Sequence, residues 1–141
     1  MARPPAREEE AQASGVTVNG ITLDTGALIA LERRGQRMRA VYLRAIELEV
    51  PLTAPAIVVA EWWRGRSRAR ELLYASLFVE PLTGPLAKAA GEAMAAVKGS
   101  TLADAIVMAS AAARGDLVYT SDVDDLERLR ARFPAVRVLS V

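Results

Sequence analysis

The stretch Ile21 to Leu31, Ile-Thr-Leu-Asp-Thr-Gly-Ala-Leu-Ile-Ala-Leu, constrains the fold of this chain more than any other. Its first three residues suit a β-strand, Asp24 and Thr25 are residue types that begin helices, and apolar side chains then recur at helical spacing from Gly26 onward. The segment is a strand that turns directly into a helix, with one carboxylate at the junction. In an open parallel sheet, ligands gather just beyond the carboxyl ends of the strands, which makes Asp24 a candidate functional acid. The plain alternative is that it only caps its helix, a contribution of about 1 kcal/mol over Ala.

The same alternation continues along the chain. A helix over Gln36 to Glu49 ends before the extended piece Pro51-Leu52-Thr53, and Pro55 suits the first position of a helix over Ala56 to Arg64 that Gly65 ends. Ser67 caps a further helix with Leu72, Leu73, Ala75 and Leu77 facing inward, followed by a strand over Phe78 to Leu82. Thr83-Gly84-Pro85 opens a helix through Val97, and Thr101 begins one over Leu102 to Arg114 that is apolar enough to be buried and stops at Gly115. Leu117 to Thr120 is a strand, Val123 to Arg132 a helix, and Val136 to Leu139 a last strand; Val16 to Val18, before Asn19-Gly20, is a candidate short strand. Strands alternating with helices imply an α/β fold, a parallel sheet with right-handed crossovers.

With 141 residues, 52% hydrophobic and 25% charged, the chain fits one globular domain, expected over residues 20–141. Residues 1–19 read as a disordered or weakly ordered tail, and Met1 to Ser14 has no apolar run of the secretory kind. No apolar stretch approaches the ~18 residues of a membrane span. There is no Cys and no His. That removes disulfides, thiolate nucleophiles, imidazole acid-base pairs and the usual zinc ligands, and it fits a reducing, cytoplasmic setting. The remaining chemistry belongs to carboxylates, hydroxyls and Arg, and carboxylates without imidazole suit hard cations such as Mg²⁺ or Mn²⁺.

Several acids stand where a solvated charge is out of place. Glu61, in Val-Val-Ala-Glu-Trp-Trp, follows Ile57 and Val58 by four and three positions, on the apolar stripe of its helix. An unpaired buried carboxylate costs several kcal/mol, so Glu61 needs a cation, a hydrogen-bond network or an opening to solvent; an Arg partner is the alternative. Asp104 sits on the Ala, Ile, Val and Met helix, where Thr101-Leu-Ala-Asp also has capping-box spacing. Asp122 repeats the arrangement of Asp24 at the end of a strand, with Asp124 and Asp125 close behind it.

Taken together, Asp24-Thr25 after a short strand, Glu61 in Val-Val-Ala-Glu, Asp104 in Leu-Ala-Asp-Ala-Ile-Val-Met-Ala-Ser-Ala and Asp122 in Tyr-Thr-Ser-Asp-Val-Asp-Asp-Leu resemble the PIN domain. More narrowly, length and layout resemble a VapC-type toxin ribonuclease. The resemblance implies a three-layer α/β/α fold with a central parallel sheet and helices on both faces. It implies metal-binding acids at Asp24, Glu61, Asp104 and Asp122, with Asp124 or Asp125 as a fifth, and supporting hydroxyls at Thr25, Thr120 and Ser121. The activity implied is a Mg²⁺- or Mn²⁺-dependent endoribonuclease, leaving 5′-phosphate and 3′-hydroxyl ends. The partners implied are RNA, a VapB-type antitoxin that neutralises the enzyme, and a second copy of the chain in a homodimer.

The charge distribution adds two candidate surfaces. Net charge is only +1, but Arg residues bunch at Arg33, Arg34, Arg37 and Arg39 and again at Arg64, Arg66, Arg68 and Arg70. Guanidinium groups bind phosphate oxygens bidentately, which makes Arg64, Arg66 and Arg68 candidates for the RNA backbone; a solvated Arg-rich face is the alternative. Adjacent helix positions point ~100° apart, so Trp62 and Trp63 do not both face the core. The more exposed of them is a candidate anchor for an antitoxin segment, with base stacking as the competing reading. A haloacid-type phosphatase is excluded because Gly26 stands two after Asp24, where it needs a second Asp. A receiver domain lacks its acidic pair and its late Lys, whereas a non-catalytic PIN-fold module that binds RNA or protein remains the alternative to the enzyme.

Overall fold

Residues 19–141 of the chain are described by the computed structural model. Five parallel strands, β1 Ile21–Leu23, β2 Leu52–Pro55, β3 Phe78–Glu80, β4 Leu117–Thr120 and β5 Val138–Ser140, lie side by side in the order β3-β2-β1-β4-β5. β1 is central, and all three of its residues are buried although one is Thr. A strand covered on both faces is a continuous run rather than an alternation.

Seven helices connect them: α1 Thr25–Glu32, α2 Gln36–Glu47, α3 Ala56–Trp62, α4 Arg68–Ala75, α5 Gly84–Ala96, α6 Leu102–Arg114 and α7 Val123–Leu129. The first two crossovers step one way along the sheet, and the last two step the other way. Right-handed crossovers then place α1 to α4 on one face and α5 to α7 on the other, the three layers expected from the sequence. Every residue from Ala105 to Ala111 is buried, as the composition of α6 implied. Its small side chains let it lie close against β1, β2 and β4 while α5 packs on its outer side. Gly115 ends α6 in the left-handed conformation at φ 74°, which costs a glycine little.

Several boundaries differ from expectation. Pro55 ends β2, paired in register with Glu80, rather than opening a helix, since the end of a strand can spare its missing N–H. α3 stops at Trp62 instead of Arg64, and Trp63 is already extended. The last helix ends at Leu129 and the last strand is shifted to Val138–Ser140. Ser67 caps α4 as expected, its Oγ accepting from the Arg70 N–H at 3.1 Å, but no residue of that helix is buried. Leu72 is 63% exposed, because α4 leans only on the outer side of α1 and leaves an open apolar groove with α2. The expected strand at Val16 to Val18, and all but Asn19 of the expected tail, lie outside the described residues. Among the described residues no helix is long and apolar enough to cross a membrane.

Candidate active site

β1 and β4 are neighbours whose outgoing connections run in opposite directions, so a crevice opens beyond their carboxyl ends. The sequence places Asp24 at the end of one strand and Thr120-Ser121-Asp122 at the end of the other. α6 runs antiparallel to the strands and brings Asp104, in its first turn, to the same end, while α3 adds Glu61 from the side. Asp24, Thr25, Glu61, Asp104, Asp122 and Asp125 together line one cavity of about 450 Å³, with Ile57 and Leu102 as apolar walls and no Lys or Arg among its lining residues.

Asp24 is 6% exposed and fully engaged. Its Oδ1 accepts the Ala27 N–H at 2.8 Å, so it does cap α1, and its Oδ2 accepts the hydroxyl of buried Thr120. The same hydroxyl oxygen accepts the Asp122 N–H at 2.8 Å, tying the two strand-end acids through one side chain. Burial pushes the Asp24 carboxyl up to about 6, helped by the nearby charges of Asp104 and Asp122 and opposed by its two hydrogen bonds. Asp104 is raised as well, first by burial and then by Asp125, Asp122 and Glu61. Thr101 Oγ1 accepts the Asp104 N–H at 3.2 Å, which caps α6, and the Thr101 side chain also opposes the rise at the Asp104 carboxyl by hydrogen bonding, while Asp104 lines the cavity.

Glu61 corrects one expectation, because it is exposed rather than buried. α3 buries Val58 and Trp62, four apart, and Glu61 flanks that stripe at the cavity rim, where the Thr25 hydroxyl donates to its Oε1 at 2.9 Å. Asp125 lines the cavity and also pairs with Arg128 at 3.2 Å, whereas Asp124 faces only a neighbouring hollow with Ser121 and Ser140. Ser121 contacts α1 so closely that a Cβ on Gly26 would stand 1.9 Å from its Oγ; glycine there allows the two strand ends to approach. No three carboxylates among the described residues converge on one point as the side chains stand. The all-oxygen donor set, uncompensated by any base in the lining, suits a hard divalent cation.

The other candidates are scattered. Arg64 lines a second, smaller cavity that shares Thr25 and Glu61 with the first, Arg66 pairs with Glu71 at 3.1 Å, and Arg68 is exposed on α4 away from both. Trp62 is 2% exposed, which corrects its assignment to a partner surface. Trp63 is half-buried against Trp62 and Tyr74, edge to face, and does not line the apolar groove of Leu31, Tyr42, Leu43, Leu72 and Leu73. Sequence reading missed that groove, since helical periodicity makes Leu72 look like core. It also missed the ion network of Arg114, Asp116, Thr22 and Glu80, which reaches from the start of β4 past the middle of β1 to the last residue of β3. The signal for the network was there: a Thr in the middle of a wholly buried strand needs a polar partner.

The fold is one that toxin–antitoxin structures share. The structure is similar to VapBC2 from Rickettsia felis bound to a DNA fragment from its promoter, with TM-score 0.67 and 13% identity over 86% of this chain and 98% of that one. DNA-bound VapBC from Salmonella typhimurium gives TM-score 0.63 and 18% identity over 86% and 97% of the two chains. Mycobacterium tuberculosis VapC20, a toxin that cleaves the sarcin-ricin loop, gives TM-score 0.59 and 24% identity over 84% and 99%. No curated protein sequence is similar enough to count as a relative. The PIN domain family matches residues 21–131, a span that holds every acid of the cavity from Asp24 to Asp125. The chain therefore belongs to the PIN domain family.

Proposed function

We propose that this protein is a divalent-metal-dependent endoribonuclease of the VapC toxin type, held in check by a VapB-type antitoxin. The observation that carries the reading is the cavity at the β1/β4 crevice, where Asp24, Glu61, Asp104, Asp122 and Asp125 meet with no basic lining residue. Asp24 and Asp104 are raised by burial first and by the neighbouring carboxylates after it, and a counter-ion would relieve both.

Asp24, Asp104, Asp122 and Glu61 would hold Mg²⁺ or Mn²⁺, with Asp125 at the rim. When bound, the cation supplies Lewis acidity toward water and the phosphodiester, which no side chain of a protein without histidine supplies as well. The chain's own contribution is positioning. Thr120 and the Ala27 N–H fix both oxygens of Asp24, Thr25 turns Glu61 toward the cavity, and the Asp122 backbone is pinned by Thr120. Ile57, Val107 and Leu102 give the cavity dry walls, within which charges interact more strongly than in water. Attack by water rather than by the ribose 2′-hydroxyl leaves 5′-phosphate and 3′-hydroxyl ends, and the 2′-hydroxyl route needs a protein base and acid that the cavity does not offer.

The likeness to VapBC assemblies supports an antitoxin partner. Its apolar segment would cover the open groove between α1, α2 and α4, a surface of exposed Leu43 and Leu72 that a free protein keeps at a cost in solubility. The deciding experiment is to incubate the purified chain with total RNA in Mg²⁺, Mn²⁺ or chelator and to sequence the new ends. Cleavage only with metal, leaving ligatable 5′-phosphates, is expected. Cleavage undiminished by chelator, or cyclic-phosphate ends, overturns the mechanism, and RNA binding without cleavage in any metal returns the chain to a non-catalytic PIN-fold module.

A further inference from the structure

Beside the acidic cavity lies a second one of about 250 Å³, and the two share the wall formed by Thr25 and Glu61. Its lining is mixed, Arg33, Arg64 and Arg70 against Glu32 and Glu61, with the arginines in excess by one. Arg70 is already spent, since it pairs with Glu32 and donates to the Gly65 carbonyl at 2.8 Å, so those two lining residues cancel. Arg64 uses only its Nε, donating to the Glu61 carbonyl at 3.0 Å, and its two terminal nitrogens have no acceptor among the described residues. Arg33, exposed at the end of α1, has no partner among the described residues either. Trp62, 2% exposed, gives the cavity an apolar wall, its Nε1 being itself sealed from solvent. The free donors that this cavity offers are therefore the two guanidiniums.

We propose that this second cavity is a phosphate subsite for RNA, in which Arg33 and Arg64 hold the phosphodiester next to the one cleaved. The inference rests on the ribonuclease reading of the acidic cavity. What selects RNA is the pairing of the two cavities across one wall. A lone anion gains only the arginines, whereas a chain of regularly spaced phosphates places one group over the carboxylates and their cation and the next among the guanidiniums. Arginine suits that role because its fork binds phosphate oxygens bidentately. Arg66 and Arg68, which the sequence offered for the same task, are not among the residues lining this cavity. Arg33, from the other arginine cluster of the sequence, is.

The test compares the full-length chain with the Arg33→Ala/Arg64→Ala double variant on a single-stranded RNA that contains a mapped cleavage site. Each phosphate near that site is replaced in turn by a neutral methylphosphonate. For the double variant, a KM about 10-fold higher with kcat within about 2-fold is expected, together with a salt slope for binding lowered by about 0.7, the share of one phosphate. One methylphosphonate adjacent to the cleaved bond should impair the wild type and leave the double variant unaffected. The two arginines are at the surface and keep the test independent of folding. Unchanged KM and salt slope with cleavage intact overturn the subsite while leaving the ribonuclease reading standing. Equal sensitivity of wild type and variant to every methylphosphonate assigns the arginines to general attraction and also overturns it. A changed oligomeric state of the variant with RNA kinetics unaltered makes them a contact between copies, again overturning it. If the wild type neither cleaves nor binds RNA in Mg²⁺ or Mn²⁺, the parent reading falls too; if it binds without cleaving, the salt slope alone decides the subsite.

Discussion

Asp24 and Asp116 are the same residue in nearly mirrored settings. One follows β1 and the other precedes the neighbouring β4, at opposite ends of the sheet, and they are 6% and 5% exposed. Each accepts a hydroxyl from a buried Thr on the adjacent strand, Thr120 for Asp24 and Thr22 for Asp116 at 2.9 Å. They differ in the counter-ion. Arg114 donates to Asp116 at 3.0 Å, to the Thr22 hydroxyl at 2.7 Å, and pairs with Glu80, so the lower network is closed by the chain itself. The charged groups around Asp24 are only further carboxylates, and burial, with their charges adding to it, pushes its carboxyl up to about 6. A buried acid supplied with its own cation fastens the fold; one denied a cation marks where something else is to bind.

The largest expected effect separates these roles by activity. Asp24→Asn or Asp104→Asn should lower RNA cleavage by about 10³-fold or more, equivalent to about 4 kcal/mol of transition-state stabilisation. Folding stability in chelator should be equal or higher, because the change removes a charge from a crowded pocket, and Asn can still cap α1. Parallel loss of stability and activity in urea and cleavage assays would make Asp24 a second Asp116. The converse variant, Arg114→Met, strands Asp116 and Glu80 without their cation. We expect a loss of about 3–5 kcal/mol in urea unfolding with cleavage per folded molecule unchanged. A drop in turnover at wild-type stability would mean that the lower network is not merely structural.

The pH dependence sharpens the contrast. A carboxyl raised from 3.8 to about 6 on folding keeps its proton in the native state after the unfolded chain has lost it. Its contribution to stability is therefore present below about pH 4 and is lost as the pH rises through about 6, a change on the order of 2–3 kcal/mol. The measurement is the difference between wild type and Asp24→Asn in thermal melts from pH 4.5 to 7.5 in chelator, where the wild type should lose more stability upward than the variant, in which the raised Asp104 still titrates. Saturating Mg²⁺ or Mn²⁺ should reverse that trend, since the cation competes with the proton and binds only the native state, worth about 2.7 kcal/mol at a hundredfold excess over Kd. A wild-type melt indifferent to metal at pH 7.5 would count against the cation site.

Most of this contrast was legible in the sequence, and unevenly so. Asp24, Asp104 and Asp122 stood out because each interrupts an apolar pattern at the end of a strand or the start of a helix, where topology alone decides what faces the crevice. Glu61 was located correctly but its setting was misjudged, because periodicity in the seven-residue α3 cannot tell the centre of an apolar stripe from its flank; Val58 and Trp62 took the centre. Leu72 was misjudged for a related reason: an amphipathic helix declares that its apolar face has a partner, and not whether that partner belongs to the same chain. The Arg114 network was missed because an Arg in the last turn of a helix already has an ordinary explanation in the helix dipole.

The smallest effect concerns the rim, where the pairing of threonine with a carboxylate recurs a third time, between Thr25 and Glu61 at 2.9 Å, now in contact with solvent. Both other pairs are buried, where losing a hydrogen bond leaves an unsatisfied group and costs more than the bond contributes. At the rim, water can replace either partner. Thr25→Val keeps the shape of the side chain and removes only the hydroxyl, so stability should change by less than about 0.5 kcal/mol. Cleavage should fall by about 2- to 10-fold, the share of one net hydrogen bond of 0.5–1.5 kcal/mol that turns Glu61 toward the cavity. Thr25→Ser should recover most of that loss, because it restores the hydroxyl and not the methyl group. A Thr25→Val variant as inactive as Asp24→Asn, not rescued by Ser, would mean that the threonine supports the start of α1 rather than Glu61, and that the rim and the buried floor of the cavity behave as one unit.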